Sequence, residues 1–150
     1  MQRSIQLFEV SLKAAIACGD RLLMVQEADT GFWELPGGRI EVGEEASAHS
    51  DILARELTEE LGPAIRIETQ PEVLSLIRTR PSDGQHIFLI LRLCRYLGGN
   101  ISLSPEHSDY RWVGLGEIGE LSFPPASAYL ESVRSLFDLL GKKTVICRGH

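Results

Sequence analysis

Residues 37–62 read GGRIEVGEEASAHSDILARELTEELG, and the last eight, Arg55-Glu56-Leu57-Thr58-Glu59-Glu60-Leu61-Gly62, decide how the rest of the chain is read. On a helix, Glu56, Glu59 and Glu60 stand at i, i+3 and i+4 and share one face. Carboxylates gathered that closely repel unless a cation neutralises them, and hard divalent cations such as Mg²⁺ take oxygen ligands. Leu53, Leu57 and Leu61 fall at i, i+4 and i+8, so a helix from about Ala48 to Leu61 has a core-facing stripe. Ser47 or Ser50 is expected to cap its start. Gly62 follows its end and Pro63 stops it.

Upstream, Leu7 to Cys18 and Arg21 to Glu27 read as two strands joined by a turn at Gly19-Asp20. Phe32 to Leu35 is a short extended piece. It ends at Pro36-Gly37-Gly38, where the backbone is expected to turn sharply before a brief strand over Arg39 to Val42. Downstream, Ile65 to Glu68 reads as a short strand. Val73 to Arg80 and His86 to Tyr96 form a hairpin around Pro81-Ser82-Asp83-Gly84, and the apolar second arm suits a central strand. Pro105 to Asp109 reads as a polar loop before a strand at Arg111-Trp112-Val113. A closing helix runs from about Ala126 to Leu140 and is ended by Gly141. Strands on either side of a central helix predict a layered α/β domain with a mixed sheet.

At 150 residues the chain suits one domain, and 43% hydrophobic with 24% charged residues is ordinary for a globular protein. A net charge of −6 disfavours broad binding to nucleic acid or anionic membrane, so no stable nucleic-acid complex and no membrane partner are expected. Cys18, Cys94 and Cys147 are odd in number and form no C-x-x-C pair, which argues against a zinc site and for reduced thiols. No apolar run is long enough to span a bilayer, so a cytoplasmic protein is expected.

The central stretch resembles the Nudix box, the signature of the Nudix hydrolase family: G, five residues, E, seven residues, then R-E-U-x-E-E-x-G-U, with U a bulky aliphatic. Gly38 and Glu44 satisfy the first spacing, Arg55 to Gly62 satisfy the last block, and Trp33-Glu34-Leu35-Pro36-Gly37 matches the usual lead-in. Two features depart from the pattern. Ten residues, Glu45 to Ala54, stand where the family has seven, and Pro63 replaces the final aliphatic. Three residues inserted inside a helix would rotate what precedes them by about 300°. An insertion in a loop costs little, so the extra residues belong within Glu45 to Ser50. The role of Glu44 is left open by this insertion.

The resemblance implies a Nudix fold, an α/β/α sandwich with a mixed β-sheet, and a single domain over residues 1–150. It implies hydrolysis of a nucleoside diphosphate derivative by attack of water on phosphorus. Glu56 and Glu60, with Glu59 and the Gly38 carbonyl, are the implied ligands of Mg²⁺, with Mn²⁺ as a substitute. Glu59 is the implied base or water-orienting group, and Arg55 the residue that fixes the carboxylates. Glu106, in the loop before Trp112, is an implied further metal ligand, with Asp109 a weaker candidate. Arg39, Arg78 and Arg80 are candidate phosphate-binding groups, since guanidinium forks suit phosphate. Trp33 and Phe32 can stack on a base, although core packing is the commoner use of such residues. His49, His86 and His107 show no metal-site spacing. A small-molecule nucleotide is the expected partner, and the resemblance allows a homodimer. The competing expectation is a Nudix-fold nucleotide-binding or regulatory domain with little catalysis. A calcium-buffering helix is a third, but no loop supplies acids at alternate positions as calcium loops do.

Overall fold

Strand β1 (Glu9–Cys18) is buried on both faces, and its side chains alternate between two cores. A computed structural model describes residues 2–125 and 127–143. Leu12, Ala14 and Ile16 of β1 enter one core, while Ala15 and Ala17 enter the other. A strand buried on both sides explains the apolar run that Lys13 interrupts.

On one edge β1 runs parallel to β6 (His86–Gly98), which pairs antiparallel with β5 (Arg66–Thr79) at the sheet margin. The sheet is therefore mixed, and the apolar arm His86–Gly98 is internal, as its composition suggests. On its other edge β1 meets β2 (Arg21–Glu27) at Ala17↔Leu22 and Cys18↔Arg21, next to the turn. Beyond that point the two strands part. β1 takes β4 (Gly37–Arg39), and β2 takes β3 (Trp33–Glu34) on that side and β7 (His107–Val113) on the other. The gap between β1 and β2 is filled by the segment that carries the two glycines.

Helix α1 (His49–Leu61) lays Ile52, Leu53, Leu57 and Leu61 on the face formed by Leu12, Ala14, Ile16, Leu23 and Val25. Helix α2 (Tyr129–Gly141) lays Tyr129, Val133, Leu136, Phe137 and Leu140 on the opposite face, against Ala15, Ala17, Leu22 and Met24. The architecture is the expected α/β/α sandwich. Each fully buried leucine contributes about 1.5–3 kcal/mol, so the two apolar stripes hold the helices to the sheet.

Several local expectations are corrected. The short strand β3 ends before the bend at Pro36, as expected, but the two glycines are themselves strand. Gly37 and Gly38 form β4 with Arg39, and residues 40–42 lie outside any strand. Gly37 has φ +138°, and a Cβ there would lie 2.2 Å from the Leu12 carbonyl oxygen. Absence of a side chain is what lets this backbone join β1. Neither Ser47 nor Ser50 caps α1. Ala48 occupies the cap position with no side-chain bond, and the preceding loop is tied by Glu44, whose carboxylate accepts the Glu41 N–H at 2.9 Å. The extra residues thus lie ahead of the helix. The two strands expected at Ile65–Glu68 and Val73–Arg80 are one strand, β5 (Arg66–Thr79), with an irregularity between Thr69 and Val73. His107 to Asp109 is strand rather than loop. Helix α2 starts at Tyr129 and includes Gly141, while Ala126 lies outside the described residues. Cys94 is a buried free thiol, and Cys147 lies outside the described residues. Among the described residues no helix is long and apolar enough to cross a membrane.

The end of α1 is closed by the segment after β6. The Leu61 and Glu60 carbonyls accept N–H bonds from Ser102 (2.9 Å) and Ser104 (3.0 Å), satisfying acceptors that a helix end leaves open. Gly62, at φ +90°, turns the chain away, and a Cβ there would press on Ser102 at 3.1 Å. The Ser102–Ser104 segment leads directly into Glu106 and His107.

Gly37→Ala should therefore destabilise the protein by about 2–3 kcal/mol, since it forces both a backbone clash and a left-handed φ. Urea denaturation followed by circular dichroism checks this; an unchanged midpoint would show that β4 tolerates a side chain.

Candidate functional site

The last two turns of α1 face the gap between β1 and β2. Glu56 and Glu60 are buried there, and Glu59 is exposed. Gly38 lies against Glu56 so closely that a Cβ would sit 2.3 Å from its carboxylate. Gly37 N–H donates to Glu60 Oε2 at 2.9 Å. The two glycines therefore hold main chain against two helix carboxylates. Burial raises the Glu60 pKa to about 7, although Lys13 and the Gly37 hydrogen bond oppose it. Burial also raises Glu56, against the neighbouring Arg55. A buried acidic pair that resists ionisation is a donor set that a divalent cation fits.

Arg55 does not line the gap. Its guanidinium forks onto Glu44, Nε to Oε2 at 2.8 Å and Nη2 to Oε1 at 2.7 Å, and lies 2.9 Å from Glu56 and 3.4 Å from Glu59. The Arg55 hydrogen bond holds the Glu44 carboxyl below its usual range. Glu44 anchors Arg55, and Arg55 braces the helix carboxylates.

Beneath the acidic wall lies a group of buried charges that sequence reasoning missed. Lys13 Nζ donates to the Gly37 carbonyl at 3.2 Å and lies 3.6 Å from Glu34. His107 Nε2 meets Glu34 Oε1 at 3.2 Å, with only 2% of the histidine side chain exposed. Burial opposes ionisation of Glu34, yet Lys13 and the His107 hydrogen bond hold its pKa down at about 2. Burial opposes the charge on Lys13 too, but Glu34, Tyr129 and Glu60 keep its pKa above the usual value. His107 is raised in the same way: burial acts against it, and the bond to Glu34 and the charge of Glu60 prevail. A ring nitrogen of His107 and carboxylate oxygens of Glu60 and Glu106 lie within 4.8 Å of one another. The available signal was a lysine inside an apolar strand and an acid in a buried two-residue strand. His107, which shows no metal-site spacing in the sequence, is brought beside Glu60 and Glu106 by the fold.

A cleft of about 410 Å³ opens over this floor, and Gly38, Arg39, Glu56, Glu59, Glu60, Arg78, Arg80 and Glu106 all line it. The arginines differ in readiness. Arg39 is paired with Glu9, and Arg80 with Asp83. Arg78 makes no ion pair among the described residues and is half-buried. Asp109 is not part of the lining; its carboxylate accepts the Tyr110 N–H and pairs loosely with Arg111. Trp33 is core, with the Arg111 guanidinium 4.9 Å above its ring, and neither it nor Phe32 lines the cleft. His49 bonds Arg92 and His86 bonds Thr79, both away from the acids. The site thus joins an acidic wall suited to a cation to a basic wall suited to phosphate.

The NUDIX domain pattern matches residues 13–134. A MutT-like protein of Streptomyces ambofaciens is 32% identical over 115 residues, spanning 76% of this chain and 69% of that protein. A Nudix hydrolase of Bacillus subtilis is 28% identical over 116 residues, spanning 74% of this chain and 69% of that protein. The crystal structure of a MutT protein from Methanosarcina mazei superposes with a TM-score of 0.70 at 25% identity, covering 91% of this chain and 96% of that one.

The depressed Glu34 pKa has a signed consequence. Such a carboxylate contributes stability that is fully present above the ordinary carboxylate pKa and is lost as pH falls through its folded value of about 2. Glu34→Gln should therefore cost on the order of 2–3 kcal/mol at neutral pH, and the gap from the parent should close between about pH 4.5 and pH 2. Urea midpoints across that range are the measurement; a gap constant with pH would sink this account of Lys13 and Glu34.

Proposed function

The chain belongs to the Nudix family of hydrolases, and on that premise we propose that it is a Mg²⁺-dependent pyrophosphohydrolase cleaving a phosphoanhydride of a nucleotide or nucleoside diphosphate derivative. The observation that carries the reading is the meeting of Glu56, Glu59, Glu60 and Gly38 with Arg39, Arg78 and Arg80 across one cleft. Phosphoanhydrides are protected from water by their own negative charge, so a catalyst must neutralise that charge and position a nucleophile. A bound Mg²⁺, or Mn²⁺ in its place, supplies Lewis-acid neutralisation of the phosphate oxygens.

In this reading Glu56 and Glu60 hold the cation, with Glu59, the Gly38 carbonyl and Glu106 completing the donor set. Glu59, the most exposed of the three helix acids, orients or deprotonates the attacking water. Arg55 keeps Glu56 and Glu59 apart and aimed, with Glu44 as its anchor. Arg78 is free to take a substrate phosphate at once, whereas Arg39 and Arg80 must exchange Glu9 and Asp83 for it. A binding-only domain would be favoured if the insertion had disturbed the acidic block. The extra residues precede α1 and leave Glu56, Glu59 and Glu60 on one face. The reading takes residues 1–150 as one domain acting in the cytoplasm on a small phosphorylated molecule.

The test is a panel of nucleoside triphosphates, nucleotide sugars, ADP-ribose and dinucleoside polyphosphates with Mg²⁺, scoring release of phosphate, pyrophosphate or a monophosphate. Glu59→Gln and Glu60→Gln should each lower kcat about 100-fold or more on the best substrate, with circular dichroism unchanged. Near-parental rates in both would overturn the mechanism. Because Glu60 carries a proton below about pH 7, a cation must displace it. Apparent Mn²⁺ affinity by calorimetry should rise with pH, up to about tenfold per unit, and level off above about pH 7. A flat profile would show that Glu60 is not in the donor set.

A further inference from the structure

We propose that His107 is a nitrogen ligand of the bound divalent cation, held in place by the buried Glu34–Lys13 pair behind it. The inference rests on the metal-dependent reading and goes beyond its all-oxygen donor set. His107 Nε2 faces Glu34 Oε1 at 3.2 Å, and Glu34 is in turn backed by Lys13 at 3.6 Å. A carboxylate paired with an ammonium is an acceptor, so Nε2 is the nitrogen that carries the donated hydrogen. That leaves Nδ1 with its lone pair. Nδ1 is fully buried and has no hydrogen-bond partner among the described residues. Buried polar atoms without a partner are rare and costly, and each calls for a physical reason.

A ligand supplies the reason. A ring nitrogen of His107 and carboxylate oxygens of Glu60 and Glu106 lie within 4.8 Å of one another, close enough to share one ion. Were His107 only a structural imidazolium between acids, Nδ1 would also carry a hydrogen and would need an acceptor, and among the described residues it bonds none. A carboxylate that fixes the far nitrogen of a histidine while the near one binds metal is the usual way such ligands are oriented. The strand β7 that presents His107 and the segment at Ser102–Ser104 that caps α1 bring it to Glu60. A nitrogen donor among carboxylates favours first-row transition ions over Mg²⁺, so Mn²⁺ should bind more tightly than Mg²⁺.

Electron spin echo envelope modulation on the full chain loaded with one equivalent of Mn²⁺ tests this directly. The expected result is a ¹⁴N modulation that changes to a ¹⁵N pattern when histidine is ¹⁵N-labelled. It should vanish in His107→Gln and persist in a variant carrying His49→Gln, His86→Gln and His150→Gln together. His107→Gln should also weaken Mn²⁺ binding about tenfold or more. Should His107→Gln fail to fold, the labelled parent and the triple variant still decide. Bound Mn²⁺ without nitrogen modulation, or modulation lost in the triple variant, overturns the ligand and leaves the oxygen site standing. Absence of any Mn²⁺ binding overturns both readings.

Discussion

The hydrogen bond from the Gly37 amide to Glu60 is the tie on which the site depends. It joins the helix to the segment that fills the gap between β1 and β2, and it is possible only because Gly37 has no side chain to meet the Leu12 carbonyl. Its other side is held as firmly, since the Gly37 carbonyl accepts from Lys13. One peptide residue is thus gripped from a helix acid on one side and a strand lysine on the other. Lys13 leads to Glu34, Glu34 to His107, and His107 returns to the neighbourhood of Glu60. Five elements, β1, β3, β4, α1 and β7, each contribute one member.

Such a circuit explains how negative charge is kept at the mouth of a folded protein. Three glutamates on one helix face would separate or protonate if left alone. Arg55 braces the outer pair and Lys13 the inner one. Arg55 stays outside the cleft lining and Lys13 lies at its floor, so the charge of the acidic wall is compensated from its edges. Tyr129 extends this support through the sheet. Its hydroxyl accepts the Leu35 N–H at 2.7 Å, so α2, on the far face, helps set the entry to the glycine pair.

What could be read from the letters was whatever is local. The acids Glu56, Glu59 and Glu60 share a face because a helix repeats every few residues, and Leu53, Leu57 and Leu61 announce that helix. The apolar arm at Ile87–Leu93 announces a central strand. The glycine pair was misjudged, because proline and glycines ordinarily break a strand and nothing in the sequence says that a neighbouring carbonyl requires their bareness. Ser47 and Ser50 looked like caps, yet the chain there is fixed by Glu44 instead. The Lys13, Glu34 and His107 assembly was invisible for a different reason. Its members lie far apart in sequence, and only the parting of β1 from β2 brings them together.

That parting carries a consequence for how the protein comes into being. β1 is locked to β6 by a parallel ladder from Glu9↔Ile87 to Ala17↔Arg95, so the centre of the sheet unites the start of the chain with a segment beyond its middle. Closing so long a loop is slow, and its entropic cost is met before any contact rewards it. Until it closes, Lys13 has no fixed relation to Glu60, and β7 has no finished sheet to join. A peptide of the acidic helix would carry the letters of the site without its geometry, and a nascent chain acquires the arrangement of its acidic cleft only when topology, rather than local helix formation, is complete.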